Sequence, residues 1–291
     1  MAVLALAACG HPDPPAPQPA RPARAIPAAR APGVTRPSSA CAGEPVVLAP
    51  GLVAQRVTMT ATPIAGGPPC LDAVTADLAR YRLRVLTARR DGAARPAPTW
   101  RALFQLAAVT NAGMFHEGGA PVGLIVEDGI AVGADNARFG GVLAFDPRAA
   151  GDPPAVITGR DCPGYDLEKL RTHYRSLIQS SRLLDCDGAP ERWADAKHYS
   201  AAAIGIDRAG RVVMLHARAA LTMSELASEL AHSGLDLAGA LFLEGGPEAS
   251  LVAGGDHAEV ARTGSYETGF IEDDSNHAFW ELPNVIGLEP R

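Results

Sequence analysis

Between the apolar runs Pro121–Val126 and Ile130–Val132 the chain reads Glu127-Asp128-Gly129, and an Asp-Gly at such a junction is the strongest short-range signal for a tight antiparallel hairpin. A second hairpin is written around Arg208-Ala209-Gly210, between Ala201–Asp207 and Arg211–His216. Val53–Thr62 and Tyr81–Ala88 alternate with a period of two, the latter setting Tyr81, Leu83 and Val85 against Arg82 and Arg84, as half-buried strands do. Leu106–Thr110, Val142–Phe145 and Ala240–Leu243 are apolar runs of strand length, and Leu183-Leu184 opens another that ends at Asp187-Gly188. Helices are expected over Leu71–Leu78, from a Thr99 cap to about Gln105, over the amphipathic Asp166–Ile178, and over Thr222–His232. In the last of these Thr222 and Glu225 occupy the two positions of a capping box. The pattern predicts an α+β fold, a single domain with a mixed β-sheet, hairpins and a few flanking helices.

Composition narrows the function classes. Of 291 residues 47% are hydrophobic, which supplies a sizeable core and excludes wholesale disorder. Thirty glycines and 25 prolines fit many tight turns and no coiled coil or collagen repeat. The net charge is −6, and residues 1–40 are locally basic through Arg21, Arg24, Arg30 and Arg36. The remainder is therefore more acidic still, so nucleic acid is not an expected partner.

The first nine residues resemble a bacterial lipoprotein signal, an apolar run closing on Leu6-Ala7-Ala8-Cys9. The run is too short to span a membrane, and Cys9 is the expected lipidation site. Residues 10–40 carry nine prolines amid Ala and Arg, as an extended tether would. The expected organisation is a signal segment at 1–9, a tether at 10–40 and a globular domain at 41–291. Membrane contact then runs through the lipid anchor alone, at the bacterial cell envelope. With Cys9 set aside, Cys41, Cys70, Cys162 and Cys186 form an even set that permits three disulfide pairings in an exported protein. Sequence neighbours favour Cys41–Cys70 and Cys162–Cys186.

Three loops after apolar strands concentrate polar groups. Asn111-Ala112-Gly113-Met114-Phe115-His116 joins an amide able to bind a sugar hydroxyl or phosphate oxygen to a turn glycine. Gln179-Ser180-Ser181-Arg182 ends in a guanidinium whose planar fork matches phosphate or carboxylate. Glu244-Gly245-Gly246-Pro247-Glu248-Ala249-Ser250 sets a carboxylate beside backbone N–H groups that two glycines leave uncovered. His198 is a further candidate donor. No cofactor signature is evident: there is no Walker loop, G-x-G-x-x-G, H-E-x-x-H or G-x-S-x-G, and the histidines show no metal-ligand spacing.

In this order N-A-G-M-F-H, P-V-G-L, R-F-G-G-V-L-A-F, Q-S-S-R-L-L-D-C-D-G, A-I-G-I-D and F-L-E-G-G-P-E-A-S-L resemble the bacterial phosphodiester glycosidase family, whose domain is shared with the lysosomal uncovering enzyme. G-S-Y-E-T-G-F and P-N-V-I-G also resemble a bacterial branch of it, so the similarity runs from about Val57 to Leu288. Family members usually show N-G-G-M-F, Q-S-G-P and L-D-G-G, where this chain has Ala112, Ser181-Arg182 and Glu244. The matching positions are Asn111, Gly113, Gln179, Ser180, Glu244, Gly245, Gly246 and Ser250.

The resemblance implies hydrolysis of a sugar-1-phosphodiester at its glycosidic bond. A phosphate-ester leaving group needs little protonation, so stabilising the sugar cation and holding phosphate matter most. Glu244 is cast as nucleophile or base and His116 or His198 as proton donor. Arg182, Asn111 and the Gly245-Gly246 amides are cast as oxygen holders. The partner carboxylate is left among Asp185, Asp187 and Glu248. Two other classes compete: an envelope lipoprotein that binds glycans without turnover, and a serine hydrolase using Ser250 or Ser181.

Overall fold

The structure, a computed structural model, describes residues 41, 43–194, 196–255 and 258–291. The expected signal segment with Cys9 and the tether at 10–40 lie outside the described residues.

Three sheets share one core. The first has the strand order Val46–Ala49, Leu52–Thr58, Cys70–Ala76, Val212–Leu221, Tyr199–Asp207 and Leu237–Gly245. The second runs Ala155–Gly159, Gly141–Pro147, Tyr174–Ser180, Ile125–Glu127 and Ile130–Ala131. The third runs Glu259–Thr263, Ser250–Gly254, Ala108–Asn111, Asn284–Pro290 and Tyr81–Thr87. Ile204, Met214 and Leu241 of the first sheet, Leu143, Phe145 and Ile178 of the second, and Val85, Leu251 and Ile286 of the third are all buried in a single apolar cluster. On the far side of the first sheet the helix Met223–His232 buries Leu226, Ala227 and Leu230 against Ala203, Leu215 and Phe242. Its capping box forms as expected: Thr222 Oγ1 accepts from the Glu225 N–H, and the Thr222 N–H donates to Glu225 Oε2. Both hairpins form, with Asp128 and Gly129 at φ +49° and +83° in the tight turn.

The α+β single domain is as expected, but every strand pairing among the described residues is antiparallel, where a mixed sheet was expected. Leu71–Leu78 is a correction: Cys70–Ala76 is a strand interior to the first sheet, bonded to neighbours on both sides. Asp166–Ile178 divides, its helix ending at His173 and Tyr174–Ser180 continuing as a strand between two others. In both segments burial on two faces overrides a short helical period. Leu183-Leu184 makes no strand, only a single bridge from Leu184 to Pro190. Cys41–Cys70 and Cys162–Cys186 are the two disulfides, as the sequence neighbours favoured.

Candidate active site

The strand Leu237–Gly245 carries Glu244 to the mouth of a cleft of about 270 Å³. A bulge against the neighbouring strand, where Ala202 faces Glu244 but Ala203 already faces Phe242, re-aims the strand end. Phe242, Met114, Met223, Trp193 and Tyr199 wall the cleft, with Ser181, Gly245 and Glu267 completing its lining. The chain then turns at Gly246 into a short 3-10 helix that ends on Glu248. Gly246 sits at φ +65°, and a Cβ there would come within 2.5 Å of Glu267 Oε2 and 3.3 Å of Glu248 Oε2. Both carboxylates therefore rest against this one α-carbon, which only glycine leaves open. Glu267 arrives from a distant loop through a bridge to Tyr199.

Three glutamates thus converge with little to neutralise them. Burial pushes the Glu244 carboxyl well above the usual range, with the Glu248 charge adding to it and the Gly245 N–H, which donates to Glu244 Oε1 over 3.1 Å, working against it. Burial likewise pushes Glu248 up to about 7, with Glu267 contributing. Glu267 is raised by burial and partly relieved by the Lys197 ammonium. Carboxyls that hold protons near neutrality at a cleft edge are suited to proton transfer.

The expected site residues divide into those at the cleft and those that build it. Glu244 and Gly245 line it, and Gly246 lies behind them. Asn111 does not reach it: Nδ2 donates to the Glu248 carbonyl at 3.0 Å and Oδ1 accepts from the Ser250 N–H at 2.8 Å. With both ends of its amide engaged at 1% exposure, it holds the Glu248 turn. Ser250 is also fully buried, its Oγ donating to the Glu248 carbonyl. Gln179 is spent on the neighbouring loop, accepting from the Leu124 and Asn136 N–H groups and donating to Asp135. Ser180 is buried and Gly113 is a turn residue at φ +116° against the Gln179 carbonyl. His116 is exposed in the turn beyond Met114, and His198 directs Nε2 towards Glu225 at 3.9 Å. Asp187 is exposed beside the Cys162–Cys186 disulfide, where Asp185 accepts from its N–H. None of these last three lines the cleft.

Arg182 is the clearest displacement. Its side chain is turned away from the cleft and 5% exposed, ion-paired with Asp161 at 2.6 Å and with Glu191. Nη1 also lies 3.0 Å from Cys162 Sγ and 3.3 Å from Cys186 Sγ. The guanidinium matched carboxylates, as its geometry allows, but those of its own chain.

Glu267 lies within G-S-Y-E-T-G-F and outside the three candidate loops. The wall residues Trp193, Tyr199 and Met223 also lie outside those loops, and only the fold brings them to the cleft. The G-S-Y-E-T-G-F motif was the one available signal for Glu267.

The phosphodiester glycosidase family profile matches residues 104–289, which takes in Glu244, Glu248 and Glu267. Among solved structures, the catalytic domain of zebrafish N-acetylglucosamine-1-phosphodiester α-N-acetylglucosaminidase, auto-inhibited by its pro-peptide, superposes with a TM-score of 0.58 at 14% identity, over 86% of this chain and 87% of that one. A hypothetical protein from Synechocystis gives 0.58 at 16% identity, over 83% and 62%. At such identities these two speak for a shared fold. No curated protein sequence matches significantly. The profile covers well over half of the chain, and on that ground the chain belongs to the phosphodiester glycosidase family.

Proposed function

We propose that this protein hydrolyses the glycosidic bond of a sugar-1-phosphodiester, with Glu244 and Glu248 as its working carboxyls. The observation that carries the reading is a cleft lined by Glu244 and Glu267, with Glu248 packed beside them at Gly246 and all three carboxyls pushed up mainly by burial. A phosphodiester is an anion, and carboxyls that keep their protons admit it without charge repulsion. As the C1–O bond breaks, the departing phosphate monoester needs little protonation, which the neutral Glu244 supplies by a hydrogen bond. Glu248, poised near 7, takes the proton of the water that attacks C1. This recasts Glu244, expected as nucleophile or base, as the proton donor. Lys197, exposed and near enough to Glu267 to lower its pKa, is the cation we assign to the phosphate.

The test is a panel of sugar-1-phosphodiesters, read by release of the phosphate monoester. Turnover should rise with pH through about 7 as Glu248 ionises, and Glu248→Gln should abolish that rise. No release from any member would overturn the reading. The aromatic walls favour one competitor, a glycan binder without turnover, which would show affinity for the panel and no product. For a serine hydrolase Ser250 does not serve, its hydroxyl being buried and committed to a carbonyl, but Ser181 lines the cleft, and covalent labelling by a fluorophosphonate would favour that reading.

The proposal extends to place. Two disulfides fit an oxidising compartment, and no helix among the described residues is long and apolar enough to cross a membrane. With Cys9 as lipid anchor and 10–40 as tether, the domain works at the bacterial envelope, and Cys9→Ser should shift the protein from the membrane to the soluble fraction. Unchanged membrane partition of that variant would remove the anchor.

A further inference from the structure

The two disulfides sit in unlike surroundings. Cys41 and Cys70 are both buried, whereas Cys162 is half-buried and Cys186 is exposed. Cys162, Cys186, Arg182 and Asp185 line a cavity of about 220 Å³ that shares no lining residue with the cleft at Glu244. Arg182 Nη1 reaches both sulfurs, 3.0 Å from Cys162 Sγ and 3.3 Å from Cys186 Sγ. Asp161 and Glu191 hold the guanidinium there, and it rests over Gly159, where a Cβ would overlap it.

A disulfide opens when a thiolate attacks one sulfur and the other departs as a thiolate, so access selects the first and charge stabilisation the second. Here the two requirements fall on different cysteines. Cys186 is the accessible sulfur. Cys162 Sγ is the nearer to the guanidinium, and on leaving it gains a charge-assisted hydrogen bond from Nη1. Asp161, with a carboxylate oxygen within 4.8 Å of both sulfurs, opposes a thiolate, but it is largely solvated and screened while Arg182 is buried. Asp185 and Asp187 flank Cys186 in the chain and disfavour charge on that sulfur. We propose that Cys162–Cys186 is an exchange site for a small-molecule thiol, which bonds to Cys186 and releases Cys162 as a thiolate on Arg182. The incoming thiolate gives its electron pair to Cys186 Sγ, and the pair of the broken S–S bond leaves on Cys162 Sγ. A second thiol then displaces Cys186 from the mixed disulfide. The protein is thereby reduced by two electrons and the two small thiols are oxidised to their disulfide. Cys41–Cys70, buried at both sulfurs, stays closed.

Cysteamine is the probe, because its cationic amine is not repelled by Asp161, Asp185, Asp187 and Glu191. The full native protein is exposed to it briefly, quenched with N-ethylmaleimide and mapped as peptides without reduction. The expected result is cysteamine on Cys186 and maleimide on Cys162, appearing about tenfold or more ahead of any reaction at Cys41 or Cys70. Cysteamine found mainly on Cys162, equal reaction of the two disulfides, or no exchange in the folded protein would each overturn the proposal. Arg182→Met should slow the opening about tenfold although it loosens the surroundings, since the leaving thiolate loses its donor. Arg182→Lys, which keeps the charge, should recover most of the rate. Opening as fast in Arg182→Met as in the native protein would show exposure acting alone and overturn the role of Arg182.

Discussion

Arg182 and Glu244 are near neighbours in the fold, since Arg182 bridges Leu241 three positions before Glu244 on the same strand. Their surroundings are opposite. Around Arg182, Asp161 and Glu191 find a cation, and the guanidinium holds Asp161 below its ordinary range. Around Glu244, two more glutamates crowd in, and burial with mutual repulsion drives protonation. The first cluster joins its disulfide and strand ends into a fixed support. The second keeps ionisable groups in a state that folding alone does not favour, which is a cost expected where chemistry is done.

Substitution should separate the two clusters most sharply at Glu244. Glu244→Gln keeps size and removes the ionisable proton, and turnover should drop about a hundredfold or more. Thermal unfolding on the same preparation should show no loss of stability, because among the described residues the carboxyl's hydrogen bond is only to the adjacent Gly245 N–H. A lower melting temperature, with activity lost only in proportion, would make Glu244 structural.

Arg182→Met should do the reverse. Removing the cation leaves Asp161 and Glu191 without their partner, and stability should fall by about 1–2 kcal/mol, between an exposed and a buried pair because Asp161 is largely solvated. Turnover per folded molecule should persist. Loss of activity without loss of stability would return Arg182 to the substrate.

Glu248 gives a pH-resolved contrast. Its folded pKa, near 7, exceeds that of the unfolded chain, so the native state binds the extra proton, and stability falls as pH rises from the ordinary carboxylate range through about 7. Glu248→Gln should therefore be neutral at pH 4 and stabilising at pH 8, by on the order of 2 kcal/mol. Denaturant unfolding at both pH values measures this, and equal effects would mean that the carboxyl is not strained.

Gly246→Ala should cost about 1–2 kcal/mol of stability, for a Cβ at positive φ. Turnover should suffer more than stability, since the new methyl displaces Glu267. An unchanged rate would show that the third carboxyl is dispensable.

What the sequence determined is local or short in range. The Asp128-Gly129 turn, the Thr222–Glu225 cap and the two neighbouring disulfides rest on residues whose partners are close along the chain. So does the placing of Glu244 at a strand end before two glycines. Tertiary structure decided whatever depended on partners far away. Cys70–Ala76 and Tyr174–Ile178 became strands because sheet neighbours on both sides claimed their backbone, which a short apolar run does not specify. Asn111, Gln179 and Arg182 read as ligand-binding side chains until the fold supplied internal partners for every one of them. Glu267 gained its place by a bridge to Tyr199, 68 residues earlier, and only there did its charge bear on Glu248 and Glu244. Turns and caps follow from neighbours in sequence, whereas distant hydrogen-bond partners, burial and the field at a carboxyl depend on everything that packs around a residue.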